Sequence, residues 1–183
     1  MLKSKFLLLF IGLYVQCLAQ DISLALQKTP KLTEVQRMQK WREVPDDVTV
    51  TFASSSNRFA KELPPGVVKK TSWQLSGWKN EKLHVQILAG TRIDLKGMKV
   101  KTGDFKNERG DVLKKEHLSL GFVQYVMTDE FRNGCGYRKP ADFDSSMVAD
   151  IINTDLQSIN VQKYTTQPVW LTIQIPEAQP AGK

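Results

Sequence analysis

The sequence predicts an all-β sandwich, and three observations predict it. From Val44 onward apolar residues recur with a period of two, in short runs. Gly, Asn, Asp or Pro punctuates nearly every gap between those runs. Sustained 3.6-residue periodicity is almost absent, as are heptads, internal repeats and low-complexity tracts. Period two marks a half-buried strand because successive side chains on a strand point to opposite faces of the sheet.

Taken in order, the first nineteen residues stand apart from the fold. Lys3 and Lys5 make a basic start, Phe6 to Val15 is an apolar run, and Cys17-Leu18-Ala19 places small residues where a signal peptidase reads them. The run is too short for the ~20 apolar residues of a bilayer span. This predicts a secretory signal peptide over residues 1–19, cleaved between Ala19 and Gln20, and an exported chain: periplasmic, cell-surface or extracellular. A lipoprotein anchor on Cys17 is the alternative, and the bulky Gln16 before it argues against that. No other segment approaches the length of a membrane span. Residues 20–40 form a poorly defined leader. Thr29-Pro30 starts a short helix there on one reading, with Leu32, Val35 and Met38 on one face; a leader without structure is the other.

The strands follow. "VTVTFA" (48–53) alternates; "SSSNR" is a loop and "LPPG" a firm turn. "SWQLSGW" (72–78) is the next candidate, and "NEK" makes a tight polar turn. "KLHVQILAG" (82–90) places Leu83, Val85, Ile87 and Ala89 on one face and His84 on the other. "GMKVKTGDF" (97–105) and "LSLGFVQYVMTD" (118–129) are two further candidates. "SSMVADIINTDL" (145–156) reads equally as a short helix or an extended excursion. "VQKYTT" (161–166) is a weak strand, and "VWLTIQI" (169–175) is the terminal one, stopped by Pro176. Pro180-Ala181-Gly182 then reads as a turn, which makes "TIQIPEAQPAGK" look like the first arm of a hairpin. The expectation is a sandwich lacking its last strand, in which residues 169–175 are either left as an open edge prone to self-association or taken by another strand.

A chain of this size buries roughly 70% of its unfolded surface, enough for a real core. Its +7 charge is scattered, as in "KNERGDVLKKEH", and so reads as a solvated surface rather than a nucleic-acid interface. Once Cys17 leaves with the signal, Cys135 is alone. No intrachain disulfide is then possible, and stability must come from packing.

Sites for chemistry are few. Asp129 and Glu130 are an adjacent carboxylate pair, but neighbours on a strand diverge and cannot converge on one bond. Cys135, in "RNGCGYRKP", lacks a basic partner beyond His84 and His117, and its glycines read as a loop shaped for its own backbone. Two separated histidines and one cysteine match no metal spacing, and no phosphate-cradling glycine motif is present. No cofactor is expected. The four tryptophans, Trp41, Trp73, Trp78 and Trp170, are the richer signal, because a rigid aromatic face suits the apolar face of a sugar ring. Trp73 and Trp170 alternate with leucines and valines, as packing residues do. Trp78, beside Gly77 and before the polar turn, is the carbohydrate-binding candidate, with Tyr137 second.

Three stretches together carry a family resemblance: "LGFVQYVMTDEFRNGCGYRKP" (120–140), "VADII" (148–152) and "TTQPVWLTIQIPEAQPAGK" (165–183). With "SGWKNEKLHVQILAGT" (76–91), they resemble the N-terminal domain of secreted bacterial proteins related to glycoside hydrolase family 123, over residues 41–183. The resemblance implies an immunoglobulin-like antiparallel β-sandwich preceding a larger catalytic (β/α)8 barrel that hydrolyses β-linked N-acetylgalactosamine. In that family an adjacent Asp-Glu pair of the barrel assists catalysis. Asp129-Glu130 lies in the sandwich stretch, so those roles do not transfer. The reading is a non-catalytic sandwich domain of a glycosidase-like protein. Its expected partners are a glycan and a barrel encoded downstream, with neither nucleic acid nor a stable membrane span. A stand-alone carbohydrate-binding module and a cell-envelope structural domain are the alternatives; a free-standing enzyme using Asp129, Glu130, Cys135 or His117 is the remotest.

Overall fold

Most of the alternating runs become paired strands in the computed structural model, which describes residues 32–128 and 146–181. After helix α1 (Glu34–Arg42) come β1 (Val48–Ser54), β2 (Lys82–Thr91), β3 (Leu95–Met98), β4 (Phe105–Lys106) and β5 (Val112–Leu113). A 3-10 turn (Lys115–His117) leads into β6 (Leu118–Thr128), followed by β7 (Ser146–Asn153), β8 (Ile159–Val161) and β9 (Thr165–Gln174). The main sheet has the order β1-β2-β9-β6-β7, and β3–β8 and β4–β5 form two small sheets. All pairings among the described residues are antiparallel, and these residues form an all-β sandwich with one α-helix.

Register decides what each face carries. Val85 pairs with Leu171 and Ile87 with Val169; on the other side of β9, Leu120 pairs with Leu171 and Phe122 with Val169. Cross-strand partners share a face. These residues therefore make one apolar surface, on which Val85, Phe122, Val169 and Leu171 are buried. Residues 100–102 and 154–157, flanking the small sheets, lie over it.

The opposite face carries Thr51, Gln86, Leu88, Gly90, Thr166 and Pro168. Helix α1 and the "LPPG" turn cover it. A Cβ on Gly90 would stand 2.7 Å from Pro65 and 3.6 Å from Trp41, so only glycine fits beneath them. Trp41 is 1% exposed, donates from Nε1 to the Glu62 carbonyl at 3.0 Å, and leans on Tyr164. The helix start is fixed by a capping box. Thr33 Oγ1 accepts from the Gln36 backbone, and the Gln36 side chain accepts from the Thr33 backbone. Thr29-Pro30 lies outside the described residues; of the expected apolar face, Leu32 and Met38 are half-buried. Val35 is exposed, and Trp41, one turn beyond Met38, is the anchor.

The terminal strand departs most from expectation. β9 begins at Thr165 and lies between β2 and β6, at the centre of the sheet. Residues 169–173 pair with β6 on one side and β2 on the other, and Ile175 exchanges backbone bonds with Glu81 and Asn80. The open edge at 169–175 is therefore corrected, and the alternative, pairing with another strand, is what the sheet shows. The partner that sequence adjacency did not supply comes from β6, some fifty residues earlier. Past Phe122, β6 leaves β9 and runs on with β7 alone. Side chains satisfy the backbone where the strands part. Tyr125 Oη donates to the Thr166 carbonyl at 2.9 Å, Gln167 Nε2 donates to the Val123 carbonyl at 2.8 Å, and the Thr166 N–H donates to the Lys61 carbonyl.

Other boundaries also move. "SWQLSGW" is not a strand; Trp73 is half-buried with the Lys70 ammonium 4.9 Å from its ring centre. "GMKVKTGDF" splits between β3 and β4, and "VQKYTT" between β8 and β9, where Tyr164 takes a positive φ of 59°. "SSMVADIINTDL" resolves in favour of strand, as β7.

Candidate functional site

Trp78 is 83% exposed, the exposure expected from its place beside Gly77. The backbone beneath it is pinned. The Glu81 N–H donates to the Trp78 carbonyl at 3.1 Å, closing a turn in which Asn80 takes φ 66°. The Trp78 N–H donates to the Glu81 carboxylate at 2.6 Å. Asn80 N–H and Ile175 C=O, then Ile175 N–H and Glu81 C=O, extend the β2–β9 ladder into the turn. A Cβ on Gly77 would stand 2.8 Å from Ile175 and 2.9 Å from Leu83, so the approach to Trp78 is seated on the end of the sheet. An indole in water on a fixed turn contributes little to folding.

A second aromatic group was not singled out by the sequence. Trp170 lies on the face opposite Val169 and Leu171, half-buried, and not in the inter-sheet core expected of it. Its Nε1 donates to His84 Nδ1 at 3.1 Å, and Thr172 Oγ1 is 3.1 Å from the same nitrogen. The available signal was parity: 84, 170 and 172 are all even, and the β2–β9 register pairs even with even. Sequence alone places His84 opposite Val85 but cannot supply that register.

A cleft of about 360 Å³ opens on the apolar face, with Leu118, Leu120, Phe122 and Val169 among its walls and Lys101 and Lys115 at its rim. Both lysines are exposed. Among the described residues, no group of three or more His, Cys, Asp or Glu side chains could hold a metal ion. No helix among them is long and apolar enough to cross a membrane. Asp129, Glu130, Cys135 and Tyr137, like Cys17, Ala19 and Gln20, lie outside the described residues. His117 ends the 3-10 turn, half-buried.

Residues 52–183 match the glycoside hydrolase 123 N-terminal domain. The chain belongs to this family. The glycoside hydrolase 123 N-terminal match begins within β1 and leaves α1 outside, although Trp41 of α1 is buried among residues of the match. The fold of this family member is similar to that of a family 123 glycoside hydrolase from Clostridium perfringens, solved in a study of glycolipid glycan hydrolysis. The TM-score is 0.64 at 17% identity, over 74% of this chain and 23% of that one. The present chain thus spans about a quarter of the length of that enzyme. No curated protein matches it.

Proposed function

We propose that this chain is the non-catalytic, immunoglobulin-like β-domain of an exported glycosidase-like protein, working in the degradation of glycans that carry β-linked N-acetylgalactosamine. The family match carries the reading, because it falls on the N-terminal domain. The hydrolysing unit of the full-length protein is a separate barrel, and this domain contributes scaffold and glycan contact. Export rests on the signal-peptide pattern of residues 1–19. Glycan contact runs through Trp78, whose exposed ring on a pinned turn suits stacking against a pyranose, with Tyr137 as the second contact.

Two measurements test this. The purified chain should not turn over aryl β-N-acetylgalactosaminide; turnover abolished by both Asp129→Asn and Glu130→Gln would make it an enzyme and end the reading. Titration with galactosaminoglycan fragments should give weak binding that Trp78→Ala removes. The same variant should keep its unfolding free energy within about 0.5 kcal/mol, as expected for an exposed side chain. Binding unchanged by Trp78→Ala and Tyr137→Ala would place the contact elsewhere.

A further inference from the structure

The imidazole of His84 and the indole of Trp170 meet on one face of the main sheet, and the chemistry of the indole fixes the state of the imidazole. An indole N–H can only donate. With Trp170 Nε1 at 3.1 Å, His84 Nδ1 must present its lone pair, so the proton of the neutral ring sits on Nε2. Thr172 Oγ1, 3.1 Å from the same Nδ1, is a hydroxyl and can either donate or accept.

We infer that His84, Trp170 and Thr172 form a pH-sensitive latch between β2 and β9, in which protonation of His84 releases the Trp170 indole N–H. A solvent proton adds to Nδ1 and converts that nitrogen from acceptor to donor. Two donors then face each other at the Trp170 contact. Thr172 rotates its hydroxyl hydrogen away and accepts from Nδ1–H, so the charged ring keeps one partner and the indole keeps none. The indole is half-buried, with its ring centre 5.5 Å from the imidazole at a tilt of 41°. Its cross-strand partner on β6 is Gly121, where the side chain of Ile152 from β7 occupies the space a Cβ would take. Released, the N–H turns toward water.

The groups around His84 are few. On its own strand and face, β2 contributes Lys82. β9 contributes Gln174, Thr172 and Trp170, and β6 contributes Ser119 and Gly121, none of them ionisable. β1 ends at Ser54 opposite Val85 and places no residue across from His84. The proton therefore brings a second positive charge to the face of β2 that carries Lys82.

Tryptophan emission of the full chain, titrated from pH 8 to pH 5, tests the latch. A protonated imidazole beside an indole changes its emission, so the wild type should show a one-proton transition with unchanged far-UV circular dichroism. His84→Gln should lose the transition, since an amide oxygen still accepts from Trp170 but does not titrate there. His117→Gln should retain it. Thr172→Val should move its midpoint, because the charged ring loses its acceptor. Long-range proton–nitrogen NMR of the histidines should find His84 protonated on Nε2 alone at pH 8. A transition that survives His84→Gln, a wild type with no transition, or a proton on Nδ1 at pH 8 would each overturn the latch. The NMR arm stands even if a variant fails to fold.

Discussion

Tyr125 shows how one side chain lets a strand change partners. Its hydroxyl reaches the Thr166 carbonyl just where β6 abandons β9, and so satisfies a backbone acceptor that no strand pairs there. Tyr125→Phe leaves that carbonyl without its donor and should cost about 1–3 kcal/mol, read from the shift in urea midpoint at constant slope. Burial pushes the Tyr125 phenol pKa well above its ordinary value, because the ionised form is disfavoured away from water. The sign follows directly. Above pH about 10 the unfolded chain releases this proton and the folded chain keeps it, so the folded state binds more protons and stability falls as pH rises. Below that pH the contribution is intact. A pH series of urea melts should show the alkaline loss in the wild type and a shallower one in Tyr125→Phe; equal slopes would mean that the hydroxyl titrates freely in the folded protein.

At the scale of elements, period-two patterning located β2 and β6 from local residues, whereas β7, with apolar residues at both parities, read equally as helix or extended chain. Which parity faces a layer was less legible. In β1 the valines at 48 and 50 are exposed, while Thr51 and Ala53 are buried under the opposite cover. Threonine fits there because Thr51 Oγ1 accepts from the Lys70 N–H at 2.9 Å, a loop contact that no local pattern encodes. "SWQLSGW" alternates and yet is not a strand, since no neighbour offers it a ladder. Of the candidate site, Trp78 was legible because exposure follows from a glycine and a polar turn beside it. The His84–Trp170 contact needs an 86-residue register and was not.

β9 gives the sharpest test of element placement. An edge strand protects every second amide, whereas a central strand protects consecutive ones. Hydrogen exchange should therefore find Trp170, Leu171, Thr172 and Ile173 slow one after another, with the exposed residues 74–76 exchanging fast. Alternating protection at 170–173 would return β9 to an edge. Substitution probes the cover on the other face: Gly90→Ala pushes a methyl to 2.7 Å from the Pro65 ring and should cost about 1–3 kcal/mol by denaturant unfolding.

For the whole molecule, the question is where the folding unit begins. The family match starts at residue 52, and the resemblance of the sequence starts at 41. Packing draws the line earlier, since the described residues from 32 onward belong to one compact unit and its helix carries Trp41, buried to 1%. That indole roofs the sheet beside Gly90, and its N–H closes on the Glu62 carbonyl in the loop that also supplies Lys61 and Leu63 to Thr166. Removing it exposes one patch of sheet and loosens the loop that fills the gap between β9 and β6. We predict that a chain starting at residue 44, with β1 intact, is less stable than one starting at residue 32 by about 3–5 kcal/mol, the usual cost of emptying a large aromatic site. At roughly 3 °C per kcal/mol for a domain of this size, the melting temperature should fall by about 10 °C. Trp41→Ala in the longer chain should reproduce most of that loss, because the rest of α1 is largely exposed. If the two chains melt together, the helix is an appendage and the domain begins at β1. If only the shorter chain is weakened and Trp41→Ala is not, the helix acts through its Arg37–Glu62 ion pair and not through the buried ring.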